Sequence, residues 1–363
     1  MRGYGPSPEA ASSFSSMTRR IKSHWTLLPI VAGLLLVSGC SGIIKERDKG
    51  RPLLLRTETA SIEDLKKSVT HLSAVNSIRA KMDLRFEDNS FAELGISEKY
   101  RSADGEVIVQ RPANIFLKIQ APIAVTSLDI AQMASDGERF SVAILNDGGS
   151  GKNRRFIIGT NKADYSALKK VVSADESGQD RELVEKVNAF AEVRPQHFTE
   201  AVLVRPISDE NFTYVMSSVF VDEEDLTSPK KSPIRRVMRG YYLLDEISRD
   251  ADGSKISRRF WFDRVGTVRL ARQQIFDSKG EIDADIIYGL EGDVSSGETM
   301  MKLPLSIAVT RPKEKYMLRL SYQSPEFVTI GRTYDPEVFR LTNEKDLPVI
   351  DLDERLKSLQ NNR

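Results

Sequence analysis

The sequence predicts a mainly β chain with a smaller helical share, an α+β protein whose sheet is antiparallel. Three observations predict it. From residue 78 onward, segment after segment alternates apolar and polar residues with a period of two. Tight turns separate these segments, among them Asp104-Gly105, Arg111-Pro112, Asp136-Gly137 and Asp147-Gly148-Gly149, and strands joined that closely run antiparallel. The composition, 40% hydrophobic and 29% charged over 363 residues with a net charge of +1, is that of a globular chain without a field to attract nucleic acid or an anionic membrane.

In chain order, the polar stretch Met1 to Ser16 fits no part of an export signal, so translation is expected to begin at Met17. Basic residues in Met17 to Lys22 then precede an uncharged apolar run from Trp25 to Val37, the layout of a signal peptide. The run falls short of the roughly 20 residues that a membrane span needs. It ends in Val37-Ser38-Gly39-Cys40, which resembles the lipobox of bacterial lipoproteins. That resemblance implies cleavage before Cys40, leaving residues 1–39 as signal, with the cysteine carrying two acyl chains through its sulfur, palmitate among the acyl groups. Two or more chains give stable anchoring where one does not. The alternative is an uncleaved anchor with Cys40 as an ordinary apolar residue. Cys40 is the single cysteine, so the body has no intramolecular disulfide and no thiol nucleophile. The Arg19-Arg20 pair suggests a twin-arginine signal, but the residues after it do not. In the sorting pattern that the resemblance implies, Ser41 after the cysteine favours the outer membrane, facing the periplasm, over the inner membrane, which stays open.

Residues 40–60 read as lipidated cysteine and tether, and order begins at Ser61. Ser61 and Asp64 form a capping pair, and Ile62, Leu65, Val69 and Leu72 make one apolar stripe of a helix to about Val75. The alternation of Ile78, Ala80, Met82, Leu84 and Phe86 is the first strand. Further strands are expected at Gly105–Gln110, Ile115–Gln120, Ser127–Ser135, Arg139–Leu145 and Arg155–Ile158. A helical middle section spans about 160–198, with two short helices in Ala163–Phe190. A second strand block begins near Ala201 and continues through Phe212–Phe220, Met238–Asp245, Ser257–Asp263, Thr267–Phe276, Asp283–Tyr288, Leu303–Thr310 and Lys315–Tyr322. The folded domain is bounded at 61–345, and 346–363 is a polar tail. Val109-Gln110-Arg111-Pro112 is echoed at Val309-Thr310-Arg311-Pro312 and more weakly at Leu203-Val204-Arg205-Pro206. Proline closes one strand before the chain returns as the next; duplication and convergent hairpin chemistry explain the echo equally well.

From Ser61 to Tyr322 the pattern resembles the LolA/LolB-like family of periplasmic lipoprotein carriers and acceptors. The first helix leads into the strand ending at Phe86, and a glycine-led strand, Arg-Pro and return strand follow at Gly105 to Gln120. The match continues at Ser135-Asp136-Gly137-Glu138-Arg139-Phe140, at Phe260-Trp261-Phe262-Asp263, at Arg272 to Gly280, and at Leu303-Pro304-Leu305-Ser306-Ile307. The resemblance implies a curved, incomplete antiparallel β-barrel covered by helices, with acyl chains of a client lipoprotein or lipid held on its concave apolar face. It also implies a gating arginine between an inner strand and the lid helices, with Arg79 and Arg85 as candidates by position. Acyl chains need no fixed polar motif. By alternation the cavity would be lined by Leu84, Phe86, Ile115, Leu117, Ile119, Phe140, Val142, Ile144, Phe260, Phe262, Leu318, Leu320 and Tyr322; a plain core would produce the same alternation. The lipobox matches the anchored acceptor, and the longer section at Thr160 to Asp252 departs from the carriers.

Other chemistry finds little support. Gly148-Gly149-Ser150-Gly151-Lys152 is followed by Asn153 and has Asn146 where a phosphate loop needs glycine. His24, His71 and His197 have no partner at ligand spacing, Glu223-Glu224-Asp225 lies in a turn, and no serine sits in a nucleophile elbow. Lys230-Lys231 and Arg235-Arg236 read as a solvated loop. The expectation is a non-enzymatic, monomeric envelope lipoprotein without cofactor, metal or nucleic acid, binding apolar or acylated cargo in protein transport to the outer membrane. The alternative is a partner-binding or stress-sensing lipoprotein.

Overall fold

The structure is a computed structural model that describes residues 51–88, 98–99, 103–123, 126–146, 151, 154–163, 165, 195–226, 228–230, 232–250, 253–296 and 299–361. The signal segment, Cys40 and nearly all of the two helices expected in Ala163–Phe190 lie outside the described residues. The chain divides into two units, Met1–Arg51 and Pro52–Arg363, and only the second is described below.

Helix α1 spans Ile62–Ser73 and starts where the capping pair predicts: the Asp64 amide donates to Ser61 Oγ at 3.2 Å and the Ser61 amide to Asp64 Oδ2 at 3.0 Å. Its stripe of Leu65, Val69 and Leu72 is buried. Strand β2 (Ser77–Asp88) follows, and its inward residues Ile78, Ala80, Met82, Leu84 and Phe86 alternate with exposed Arg79, Lys81, Asp83 and Arg85. A short β3 (Glu98–Lys99) pairs with the end of β2. Then come β4 (Ala103–Gln110), β5 (Asn114–Ile123), β6 (Thr126–Ser135), β7 (Arg139–Ile144) and β8 (Arg155–Thr160) as successive antiparallel hairpins.

The second half holds β9 (Phe212–Glu224), β10 (Arg236–Asp250), β11 (Gly253–Asp263), β12 (Arg269–Phe276), β13 (Ile282–Tyr288), β16 (Ser306–Arg311) and β17 (Tyr316–Tyr322), each antiparallel to the next. A separate hairpin, β14 (Glu291–Ser296) and β15 (Thr299–Pro304), interrupts this run between β13 and β16. β17 pairs with β2, Tyr322 opposite Met82 and Leu318 opposite Phe86, so the two halves form one sheet. From β9 the strands run through β10, β11, β12, β13, β16, β17, β2, β4, β5, β6 and β7 to β8. β18 (Thr329–Ile330) adds to β2, and β19 (Val349–Asp351) adds parallel to β8. β9 and β19 are not paired with each other among the described residues, so the sheet is open.

One face carries the main core. It gathers residues of α1, β2, β4 to β8 and β10 to β17, Ile330, and Phe198, Ala201, Val202, Leu203 and Val204. Those last residues correct the expected strand near Ala201: Pro195–Val202 is a short helix, α2, which lies against β4, β5, β6 and β16. Eight residues opening on Pro195 form two turns whose Phe198, Ala201 and Val202 share one face. Outer faces are covered too. Tyr334 and Phe339 close over Ile108, and Leu347 over Ala143 and Phe156, so residues 334–347 wrap the back of β4 to β8. The segment read as a polar tail carries β19 and a final helix α3 (Leu352–Asn361), whose Asp353 accepts hydrogen bonds from Tyr165 at 2.5 Å and Thr160 at 3.1 Å. The expected tether is likewise part of the sheet from Leu53 on. β1 (Leu53–Leu54) lies parallel to Val237 and Met238 of β10, and the Glu58 amide donates to the Arg264 carbonyl at 2.8 Å. Gly240 makes room for this segment, since a Cβ there would meet Thr57 Cγ2 at 2.6 Å.

Candidate functional site

The thirteen residues proposed to line a cavity share the core face. Leu84 and Phe86 come from β2, Ile115, Leu117 and Ile119 from β5, Phe140, Val142 and Ile144 from β7, Phe260 and Phe262 from β11, and Leu318, Leu320 and Tyr322 from β17. None is more than 9% exposed, and all belong to one cluster. Against them pack α1, through Leu65, Val69 and Leu72, and the segment of α2 and its continuation, through Phe198, Ala201, Val202, Leu203 and Val204. Among the described residues, a hollow of about 20 Å³ lies beside Leu72, Ile78, Val204, Tyr288 and Tyr322, room for one water molecule. A wider cleft of about 420 Å³ opens between α1 and the β14–β15 hairpin, lined by Ser68, His71, Arg269, Asp293 and Met300. In this conformation the apolar face is occupied by the protein's own chain.

Arginines tie the covering segments to the sheet. Neither Arg79 nor Arg85 is among them: both point outward from β2, Arg79 pairing with Glu106 at 2.5 Å. The residue that bridges strand and helices is Arg111, in the turn after β4. It donates to the carbonyls of Ser73 at 3.1 Å and Val75 at 3.1 Å, which end α1, and to Val204 at 2.7 Å, which follows α2. A cation at carbonyls that a helix leaves unsatisfied is favoured by both hydrogen bonding and the helix dipole.

The second tie is a buried ion pair. Glu246 on β10 and Arg258 on β11 are directly opposite each other beside a bulge, with side chains 0% and 1% exposed. Arg258 Nε donates to Glu246 Oε1 at 2.8 Å and Nη2 to Oε2. The guanidinium also reaches the carbonyls of Arg205 at 2.9 Å and Pro206 at 3.1 Å. Arg205 and Tyr214 complete the carboxylate's shell at 2.9 and 2.7 Å. Burial alone would raise the Glu246 carboxyl, but the hydrogen bonds and charge of Arg258, with Tyr214 and Arg205, hold it below the usual carboxylate range. Burial, with the neighbouring carboxylate, pushes the Tyr214 hydroxyl up to about 12. A carboxylate accepting four donors and held ionised is a tie between strap and sheet, not a proton donor.

The Arg-Pro echo is explained in part. Arg111-Pro112 and Arg311-Pro312 are hairpin turns, and Arg311, 5% exposed, pairs with Asp283 at 3.0 Å and Glu314 at 3.1 Å. Arg205-Pro206 lies in the strap after α2 and turns no hairpin. Glu223 and Glu224 are engaged by Arg239 at 2.5 Å and Arg235 at 3.0 Å. His71 lies on α1, most of the glycine-rich stretch at 148–152 is outside the described residues, and among the described residues no three acidic, His or Cys side chains could hold a metal. No described helix is long and apolar enough to cross a membrane.

No protein-family model matches the chain, nor does any curated protein sequence. Solved structures do. A LolA superfamily protein from Nitrosomonas europaea is 10% identical, with 78% of this chain and 99% of that one covered at a TM-score of 0.37. A protein of the DUF1329 family from Desulfovibrio piger is 11% identical over 76% and 95% at 0.37. A domain described as an outer membrane lipoprotein-sorting protein, from Vibrio parahaemolyticus, is 11% identical over 77% and 94% at 0.34. LolA superfamily and lipoprotein-sorting structures are thus among those that this chain is similar to.

Proposed function

We propose that this chain is a non-enzymatic lipoprotein of the cell envelope, anchored through acylated Cys40 on the periplasmic side of the outer membrane, and that it binds acyl chains or other apolar cargo on its core face. Cargo enters when α2 and its strap leave that face. The supporting observation is that part of the cover is an eight-residue helix with a short continuation. Phe198, Ala201, Val202, Leu203 and Val204 together contribute roughly 10 kcal/mol of burial at about 1.5–3 kcal/mol for each larger side chain. An acyl chain of about 16 carbons would return about 12 kcal/mol at about 0.8 per CH₂. On apolar burial alone the two are comparable, and the hydrogen bonds of Val204 to Arg111 and of Arg205 and Pro206 to Arg258 add to what cargo must displace.

The test is purification of the body from residue 50 onward, with mass spectrometry of extracted lipid and displacement of a fluorescent fatty acid. Bound lipid or saturable displacement is expected. Absence of both defeats cargo binding and leaves the second reading, an anchored partner-binding protein, which the hollow of only about 20 Å³ favours. Capture of a defined protein partner by a chain that takes up no fatty acid would establish that reading.

A further inference from the structure

The chain enters the described body beside an unusual turn. β1 runs parallel to β10, Leu53 opposite Val237 and Leu54 opposite Met238. The polypeptide preceding Leu53 therefore emerges at the start of β10, next to the turn that links β9 to β10. That turn is tightly tied. The Asp225 amide donates to the Arg235 carbonyl at 2.7 Å, the Ser228 hydroxyl to Asp225 Oδ2 at 2.9 Å, and Arg235 Nη1 to the Ser228 carbonyl at 3.0 Å. Yet it holds Leu226 at 80% and Ile234 at 56% exposure, and Leu54 of β1 lies beside it at 66%. Two large aliphatic side chains on the turn and a third on the adjoining β1 are exposed at one rim, and apolar residues grouped this way mark a contact surface.

The charges around them cancel. Residues 222–236 hold four acidic side chains (Asp222, Glu223, Glu224, Asp225) and four basic ones (Lys230, Lys231, Arg235, Arg236). Arg235 pairs with Glu224 and Arg236 with Asp222. The surface is thus apolar and neutral, which suits a lipid interface entered by side-chain burial and not by attraction to anionic headgroups.

We propose that the rim formed by Leu54, Leu226 and Ile234 rests in the headgroup region of the bilayer that holds Cys40 and orients the body on it. This rests on the anchoring part of the proposed function and not on cargo binding. The eleven residues Ser41 to Arg51 reach at most about 40 Å at roughly 3.5 Å each, and the rim lies at the very point where they join the body. β10 is 15 residues long, and Ser254 of β11, opposite Arg249 near the far end of β10, marks the other rim about 43 Å away at roughly 3.3 Å per residue.

The test uses the full acylated chain reconstituted in phosphatidylcholine vesicles. An environment-sensitive dye is placed on single cysteines made by Leu226→Cys, Ile234→Cys or Ser254→Cys, and a quencher is carried on the lipid chains. Loss of most emission at 226 and 234, none at 254, and the same result in low and high salt are expected. Unquenched dyes at 226 and 234 on vesicles that carry the protein overturn the proposal and spare the anchor. A wild-type chain that does not float with vesicles removes anchor and proposal together. Blue-shifted but unquenched dye at 226 means that a second copy of the chain, not lipid, covers the rim, and it overturns the proposal, as does quenching that disappears in high salt.

Discussion

Replacing Arg258 by Met removes the cation at the centre of the buried tie while keeping an apolar stem of similar length. The variant loses two hydrogen bonds to Glu246 and two to the Arg205 and Pro206 carbonyls. Glu246 stays 0% exposed and keeps only Tyr214 and Arg205, and the Arg205 side chain is 56% exposed and screened by water. Removing one partner of a buried pair costs about 3–5 kcal/mol, and with two carbonyls also deprived the upper half of that range is expected. At a urea slope of roughly 3 kcal/mol/M the unfolding midpoint falls by about 1 M or more. The double variant Arg258→Met/Glu246→Leu removes the stranded charge, and it is expected to regain most of the loss, because paired polar groups exchanged together for apolar ones cost little. A double variant less stable than Arg258→Met alone would refute the account of a mutually dependent pair.

Arg111→Met frees the carbonyls of Ser73, Val75 and Val204 and should cost about 2–4 kcal/mol in chemical unfolding; if α2 is the cover that cargo displaces, uptake of a fluorescent fatty acid rises as well. Gly240→Ala brings a methyl to 2.6 Å from Thr57 and should cost about 1–3 kcal/mol, with faster tryptic cleavage at Arg56, whose side chain is 92% exposed; an unchanged cleavage rate would contradict the docking of residues 53–58. Because the folded Glu246 carboxyl is held below its ordinary value, its contribution is fully present above the ordinary glutamate pKa of about 4.3 and is lost as pH falls through the lowered folded value. Wild-type stability should therefore drop more steeply on acidification than that of Arg258→Met/Glu246→Leu, and parallel profiles would show that the carboxylate is not protected.

Much of the sheet was legible because alternation with tight turns has few solutions. The helix at Ser61 and the inward set Leu84, Phe86, Leu318 and Leu320 were visible from period alone, and β2 and β17 bring those four together as cross-strand neighbours. What the sequence hid depended on contacts distant along the chain. Leu53-Leu54 reads as an isolated apolar scrap until β10 supplies a partner. Residues 195–202 carry too few turns for a period to emerge. Leu303 to Thr310 reads as one strand, but β15 and β16 belong to different sheets and part at Leu305. Of the buried tie, Glu246 fell one residue beyond the strand end expected at Asp245 while Arg258 lay inside the strand expected at Ser257–Asp263, and charges at inward parity on two strands of one hairpin were a usable signal. Arg111 gave no signal beyond its place beside a proline, since its acceptors are backbone carbonyls.

The meeting of β2 with β17 also governs when this protein can assemble. Gln323 donates to Asp83 across 240 sequence positions, and β19 fastens onto β8 only with residues 349–351. Neither junction can form while the later part of the chain is still being delivered. Closing so distant a pairing is intrinsically slow. Consecutive hairpins can pair as they appear, but the sheet that joins them is completed only once Tyr316–Tyr322 can reach β2.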